Sequence, residues 1–144
     1  MASCCFFGHR EVYEDIGESL ERVICDLIER KKVKCFYVGN HGAYDRTVKR
    51  KLSEIKERYP EISYYVVLAY LPKKGDEYKK IETIYPEGIE RVPKKYAIIY
   101  RNNWMIDKSE YVVSYVKYET GGAANFQNIA KRKGKDVINI AEHN

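Results

Sequence analysis

The chain has 144 residues, of which 44% are apolar and 33% charged, and its formal net charge is +5. This length suits one domain with one core, and the composition is that of a globular protein rather than a disordered or fibrous one. No apolar run approaches the roughly 20 residues that a membrane-spanning helix needs. We therefore expect a single domain over residues 1–144, located in the cytoplasm and without a membrane partner.

The predicted elements of the first half alternate between short apolar runs and amphipathic helices. Residues 3–8 predict a buried strand, and the three- and four-residue spacing of apolar side chains over residues 16–28 predicts a helix behind it. Residues 33–39 predict a second strand, followed by a helix that Pro60 ends. Residues 63–71, rich in β-branched and aromatic side chains, predict a third strand.

The second half begins with an irregular connection over residues 72–95, which contains three prolines and many charges. A helix over 96–108, a strand over 111–116, a helix over 122–133 and a strand over 137–140 follow. Strands that are apolar on both faces favour a parallel sheet covered by helices. The sequence therefore predicts an α/β, Rossmann-like fold, with an open, mainly parallel five-stranded sheet and helices on both faces.

Cysteine and basic residues narrow the class of protein further. The cysteines lie in apolar segments without a C-x-x-C pair, which favours buried, reduced thiols over disulfides or a zinc site. The basic residues are best explained as solvated surfaces, then as attraction for a small anion, and last as a duplex nucleic-acid surface, because no nucleic-acid-binding motif accompanies them. They are grouped at Arg46, Lys49, Arg50 and Lys51, at Lys73, Lys74, Lys79 and Lys80, and at Lys94, Lys95 and Arg101.

Glycines with polar neighbours follow three of the five predicted strands and locate the candidate site. In an open parallel sheet the ligand crevice lies beyond the carboxyl ends of the strands, where the strand order reverses. The residues there are Gly8, His9 and Arg10 after the first strand, Gly39, Asn40, His41, Gly42 and Asp45 after the second, and Thr120, Gly121, Gly122, Ala123 and Asn125 after the fourth.

The Gly121-Gly122 pair precedes a predicted helix and suits a phosphate. Unpaired backbone N–H groups and the macrodipole at a helix N-terminus attract an anion, and glycines let the backbone come close. Thr120 or Asn125 would add a side-chain hydrogen bond. The pair lacks the spacing of dinucleotide-binding and P-loop motifs, so plain turn chemistry is an equally good explanation of it.

Four further side chains have two possible uses each. His9 and His41 would form a metal site with Asp45 only if another ligand lay close, so hydrogen bonding is the favoured use. Arg101 pairs with phosphate, as Arg10 would, or forms a surface ion pair. Trp104 stacks on a base or, more simply, anchors its helix to the sheet.

Five stretches together resemble the SLOG superfamily, whose name joins the DNA-processing Smf/DprA proteins and the LOG cytokinin-activating enzymes. Within it the chain is most similar to the short bacterial and phage proteins of the YpsA-like branch. The stretches are CCFFGHR (4–10), FYVGNHGAYD (36–45), YYVVLAYLP (64–72), IYPEGIERVPKKYAIIYRNNWM (84–105) and YVVSYVKYETGGAANF (111–126). The resemblance implies a Rossmann-like fold that binds nucleotides or nucleotide-derived ligands at the strand ends, often as a dimer or higher oligomer.

The resemblance also implies a choice between catalysis and binding. Some members hydrolyse the N-glycosidic bond of nucleoside monophosphates with P-G-G-x-G-T-x-x-E at the fourth strand end, and others sense nucleotide signals in antiphage defence. Here the paired glycines match, but Ala124, Asn125 and Asn128 replace the third glycine, the threonine and the glutamate. A neutral amide cannot transfer the proton that glycosidic cleavage needs, which leaves Glu119 as a substitute only if it points inward.

The leading hypothesis is a protein that binds a nucleotide-derived ligand, ADP-ribose-like or a cyclic nucleotide signal, as a phage sponge or a sensor. A phosphate would sit on the glycine pair near Arg10, and residues 72–95 and Trp104 would close over the base. Asn40, Asp45 and Asn125 would fix ribose or phosphate oxygens. The alternatives are a phosphoribohydrolase or N-glycosidase and a DNA-associated protein. We expect a homo-oligomer with no cofactor and no metal.

Overall fold

A computed structural model of the protein describes residues 2–71 and 82–143. Within them the strands are β1 (Ala2–Gly8), β2 (Val33–Val38), β3 (Ser63–Val67), β4 (Thr83–Ile84), β5 (Tyr111–Tyr115) and β6 (Asp136–Asn139). The helices are α1 (Gly17–Lys31), α2 (Gly42–Arg58), α3 (Ala97–Lys108) and α4 (Gly122–Arg132), with short 3₁₀ turns at Ile89–Arg91, Lys94–Tyr96 and Ile140–His143. No helix in these two ranges has the length and apolar character required to cross a membrane.

The strands form one parallel sheet in the order β4-β3-β2-β1-β5-β6. From β1 the chain builds outward through β2 and β3 to β4, and then returns to place β5 on the other side of β1. The strand order therefore reverses between β1 and β5, the position at which open α/β sheets bind ligands. The predicted α/β, Rossmann-like fold is confirmed.

Apart from shifts of one residue at strand ends, the strands differ from the prediction in two respects. The sheet has a sixth strand, because Thr83–Ile84 pairs with the end of β3 inside the stretch that was predicted to be irregular. The third strand ends at Val67 rather than at residue 71. A two-residue strand is too short to show a periodicity in sequence. Residues 72–81 of the predicted connection lie outside the described residues.

The sheet carries a hydrophobic core on each face. Helices α1 and α2 pack on one face and α3 and α4 on the other, because successive strand residues such as Phe6 and Phe7 point to opposite sides. The first core includes Leu20, Ile24, Phe36, Val48 and Leu52, and the second includes Val67, Met105, Ile106 and Val112. Cys4, Cys5 and Cys35 are buried free thiols, as predicted, whereas Cys25 is half-buried.

Tyr44 fixes the start of α2 against the end of β1. Its ring is buried, and a Cβ atom on Gly8 would lie 2.3 Å from the ring carbon Cγ, so the approach requires glycine. The Tyr44 hydroxyl donates a 2.8 Å hydrogen bond to the carbonyl of Val113 in β5. Two backbone N–H groups of the first turn of α2 donate to the carbonyls of His9 and Arg10. These contacts join α2, β1 and β5 where the strand order reverses.

This close approach predicts that Gly8→Ala destabilises the protein. The added methyl group must displace the buried Tyr44 ring, and such overpacking costs about 1–3 kcal/mol. Urea unfolding followed by circular dichroism measures the change in the free energy of unfolding. Gly122→Ala is the matched control, since nothing lies within 4 Å of a Cβ atom there. Equal stability of wild type and Gly8→Ala would contradict the packing argument.

Candidate functional site

A cavity of about 290 Å³, here called the main cavity, opens between the carboxyl ends of β1 and β2 and the helices α3 and α4. Its volume is close to the lower end of ordinary small-molecule sites, about 300 Å³. The predicted site residues that line it are Gly8, His9, Arg10, Gly39, His41, Asp45, Arg101, Gly122 and Ala123. The fold therefore brings together residues from three strand ends and from α3.

The other six predicted site residues do not line the main cavity. Thr120, Gly121 and Asn125 are exposed on the turn into α4. The side-chain oxygen of Asn40 accepts a 2.7 Å hydrogen bond from the Lys49 ammonium group. The remaining two are Gly42, whose Cβ position is closed by the backbone of Arg10, and Trp104.

Trp104 anchors α3 to the sheet. Its half-buried ring meets Tyr37 of β2 edge-on at a centroid distance of 5.3 Å, and the Lys108 ammonium group lies 5.7 Å from the ring. These contacts use the ring for packing between α3 and β2. The structure thus gives Trp104 the simpler of its two predicted uses, and does not place it where it would cover a base in the main cavity.

Arg101 is a buried cation whose hydrogen bonds connect α3, β3 and the loop after β2 beneath the main cavity. Its side chain is 2% exposed, so the alternative of a surface ion pair is wrong. The guanidinium donates from Nε to Asn102 Oδ1 at 2.7 Å, from Nη1 to the Val67 carbonyl at 3.0 Å and from Nη2 to His41 Nδ1 at 3.4 Å. Burial lowers the pKa of Arg101, whereas the carboxylate of Asp45 opposes that shift.

Asp45 is the carboxylate in the lining of the main cavity. Its Oδ2 accepts a 3.0 Å hydrogen bond from the backbone N–H of His41 at the start of α2. Burial raises the pKa of Asp45, while that N–H group and the charges of Arg101 and Lys49 act in the opposite direction. A Cβ atom on Gly39 would lie 2.9 Å from Asp45 Oδ2 and 3.0 Å from Arg101 Nη1, so the glycine lets the two charges flank the end of β2.

Both histidines of the site accept hydrogen bonds through a ring nitrogen. The backbone N–H of Lys117 donates to His9 Nε2 at 2.9 Å, and Arg101 donates to His41 Nδ1. Desolvation lowers the pKa of both imidazoles, and the positive charges of Lys117 and Arg101 lower it further. These lone pairs are therefore engaged, and no group of three potential metal ligands occurs in the described ranges. The geometry gives the alternative of a His9–His41–Asp45 metal site no support.

The first turns of α2 and α4 differ in what faces their backbone: other protein groups cover that of α2, whereas that of α4 faces the main cavity. Gly121, the residue before α4, has φ +108°, a conformation that only glycine adopts readily. Gly122 has no such backbone requirement, and nothing lies within 4 Å of a Cβ atom placed on it. Carbonyls of the loop after β1 accept from the first turn of α2, whereas Gly122 and Ala123 of α4 line the main cavity. The N-terminus of α4 is thus the one that faces open space.

Glu119 does not point into the main cavity. It is exposed and lines a separate cavity of about 310 Å³ together with Asn128, Gln127 and Asn139. The two cavities share no lining residue. Neither the position that carries glutamate in the hydrolases nor its suggested substitute therefore faces the main cavity.

Six lining residues were not predicted as site residues from the sequence, namely Phe6, Phe7, Ile98, Asn102, Met105 and Phe126. Asn102 orients the guanidinium of Arg101 through the hydrogen bond described above, and Phe126 stacks on Phe7 at a centroid distance of 5.6 Å. One feature of the sequence could have identified Asn102 as a site residue, namely its position next to Arg101 in a polar stretch of a predicted helix. The position of Phe126 depends on how α4 packs on the sheet, which no local pattern encodes.

The neutral histidines predict a pH-dependent stability. Because the folded-state pKa values of His9 and His41 lie below the ordinary value of about 6.5, the unfolded chain binds more protons in this range. The contribution is complete above pH 6.5 and is lost as the pH falls through the lowered folded-state values. Urea unfolding between pH 7.5 and 5 should show it, and NMR titration should place both histidine pKa values below 6.5.

The matched variants are His9→Gln and His41→Asn, whose amide oxygens still accept the hydrogen bonds but cannot be protonated in this range. The double variant should have a flatter stability profile between pH 7.5 and 5. The raised pKa of Asp45 has an effect of the opposite sign, since its protonation favours the folded state, and the histidine substitutions isolate the histidine contribution from it. A histidine pKa above 6.5 would contradict the assignment.

Known proteins resemble this chain in structure but not detectably in sequence. No protein-family model matches this chain, and no curated protein is significantly similar to it in sequence. The structure is similar to that of DNA processing protein A (DprA) from Streptococcus pneumoniae, with a TM-score of 0.67 and 15% sequence identity. The match covers 94% of this chain and 49% of the DprA chain, so the protein spans about half the length of DprA. The chain thus shares a Rossmann-like fold with DprA.

Proposed function

We propose that the protein binds a nucleotide-derived ligand in the main cavity, through a phosphate group, and does not cleave it. The observation that carries the proposal is the open first turn of α4, which adjoins a cavity lined by two guanidinium groups. Backbone N–H groups at a helix N-terminus and arginine side chains are the common binding groups for phosphate in proteins. The position of the cavity beside the reversal of strand order supports the same conclusion.

The two arginines have different tasks in this proposal. Arg10 is exposed at the mouth of the cavity and is the cation that reaches a phosphate directly. Arg101 has three of its donors occupied, so it contributes positive potential from below. Asp45 Oδ2 is likewise occupied by His41 N–H, which leaves Oδ1 as the oxygen that meets a ligand. A carboxylate beside a phosphate site suits the hydroxyl groups of a ribose, which donate hydrogen bonds.

Binding without cleavage is favoured by the number of carboxylates. Most glycoside hydrolases use two carboxyl groups flanking the scissile bond, and N-glycosidic cleavage likewise needs a positioned group that transfers a proton. Among the described residues that line the main cavity Asp45 is the single carboxylate, and it accepts a hydrogen bond from the backbone N–H at the start of α2. Glu119 and Asn128 face a different cavity. A second carboxyl group for acid–base chemistry is therefore missing from the described residues that line the main cavity.

The ligand classes that fit are ADP-ribose derivatives and cyclic nucleotide signals, both of which combine phosphate with ribose. A protein that holds such a signal intact would act as a phage sponge, or as a sensor like those superfamily members that sense nucleotide signals. Assembly into a homo-oligomer stays a prediction.

A DNA-associated role is the second candidate, because the similar structure is named for DNA processing. The basic residues of α2 give it little support, since two of the four at positions 46–51 are paired with carboxylates. Lys51 lies 3.5 Å from Glu21, and Arg50 lies 3.8 Å from Glu54. Lys73, Lys74, Lys79 and Lys80 lie outside the described residues.

Calorimetric titration separates these functions. We expect saturable binding of at least one compound among nucleoside monophosphates, NAD, ADP-ribose and cyclic nucleotides, and recovery of the intact compound after heat denaturation of the complex. Absence of binding by folded protein would reject the proposal, and recovery of free base would establish cleavage instead. Tight binding of single-stranded DNA that weakens steeply with salt would favour the DNA-associated role, because phosphate contacts release counterions.

Gly122→Ala tests the position of the phosphate. The free protein has space for the methyl group, so its stability should be unchanged or raised by up to about 1 kcal/mol. The methyl group would occupy the approach to the N–H groups of α4, and loss of a hydrogen bond to a charged group should weaken binding by about tenfold or more. Asn128→Ala, on the same helix but lining the other cavity, is the control and should bind normally. Normal binding by Gly122→Ala would place the phosphate elsewhere.

A further inference from the structure

A second, larger cavity of about 650 Å³ adjoins the main cavity and shares His9 and Arg10 with it. We call it the tyrosine groove, and its other principal residues are Tyr13, Tyr115, Lys117 and Tyr118. It lies between the loop after β1 and the loop after β5, which are the two loops that diverge where the strand order reverses. The end of β1 thus separates two neighbouring cavities.

Two tyrosine rings of the groove are unusually exposed. Tyr13 is 85% exposed and Tyr118 is 63% exposed, although a tyrosine ring usually buries most of its apolar area. The His9 ring lies 5.1 Å from Tyr118 and 5.7 Å from Tyr115, so it backs the groove with a third aromatic surface. Exposed aromatic faces beside a phosphate site are the groups on which nucleobases stack in proteins.

We propose that the tyrosine groove binds the nucleobase of the ligand whose phosphate occupies the main cavity, with Tyr118 and Tyr13 as the stacking residues. This inference rests on the proposed function and adds to it the direction in which the ligand lies. The ligand crosses the end of β1 over His9 and Arg10, the two residues that both cavities share. The base then lies on the side of the sheet away from Trp104, contrary to the arrangement expected from the sequence.

The charges of the two cavities fix this orientation. The groove contains the carboxylates of Glu11 and Glu14, and its lysine, Lys117, is 2.7 Å from Glu14. A phosphate placed there would meet two negative groups and a cation that is already paired. The main cavity offers Arg10, Arg101 and the start of α4. A ligand with an anionic end and a neutral aromatic end therefore lies with its phosphate in the main cavity and its base in the groove.

The test compares ligands with and without a base. Calorimetry measures the affinities of AMP, GMP, CMP, UMP and ADP-ribose, and of ribose 5-phosphate, which lacks the base. Tyr118→Ala should weaken the base-containing ligand that wild type binds by about tenfold or more and leave ribose 5-phosphate unchanged, because stacking on the ring is lost. Tyr118→Phe keeps the ring and should restore the affinity. Tyr96→Ala removes a ring that is 49% exposed outside both cavities and is the matched control.

Each outcome bears on one of the two proposals. Selective loss with the base-containing ligand, increased by the double substitution Tyr13→Ala and Tyr118→Ala, supports the groove as the base site. Equal loss with ribose 5-phosphate, or no loss at all, overturns this inference while the proposed function stands. If wild-type protein binds none of the six compounds, nor the NAD and cyclic nucleotides titrated for the proposed function, that function is overturned and the inference falls with it.

Discussion

The contact of the Tyr44 ring with Gly8 is the constraint on which the site depends. It brings the start of α2 directly over the end of β1, and the tyrosine hydroxyl extends the contact to β5. The path of the loop after β1 is then fixed, because its carbonyls accept hydrogen bonds from backbone N–H groups in the first turn of α2. That path carries His9 and Arg10 between the two cavities. A larger residue at position 8 would therefore change the relation between the cavities as well as the stability of the fold.

The same contact explains why the two helix N-termini nearest the site differ. Backbone N–H groups at the start of α2 donate to backbone carbonyls and to the Asp45 carboxylate. These donors are therefore already used within the protein and are not available to an anion. No acidic residue lies in the first turn of α4, and Gly122 is in open space. An anion is consequently drawn to α4, while α2 contributes Asp45 as an acceptor. One helix thus supplies donors to a ligand and the other supplies an acceptor.

The sequence predicted the fold well because its information is local. Apolar periodicity identified the four helices and the strands of three or more residues, and glycines at strand ends identified the loops that meet at the site. Whether a charged side chain is buried depends instead on residues that are distant in the sequence. Arg101 reads as an ordinary helix cation, and its burial follows from the Val67 carbonyl and His41 nitrogen that the fold brings to it. The packing of Trp104 on Tyr37 and the exposure of Tyr118 are likewise consequences of how α3 and the loop after β5 sit on the sheet.

Gly121 and Gly122 show how one motif contains two kinds of requirement. The positive φ of Gly121 is a demand of the fold, because the chain must turn sharply between β5 and α4 whatever it binds. Gly122 meets no such demand, and alanine would favour the helix there, since glycine loses more backbone entropy on folding. Because neither the backbone conformation nor the packing requires glycine at position 122, we infer that a ligand approaches the backbone there. The location of Gly122 at the edge of a positively charged cavity makes a phosphate the group best suited to that approach.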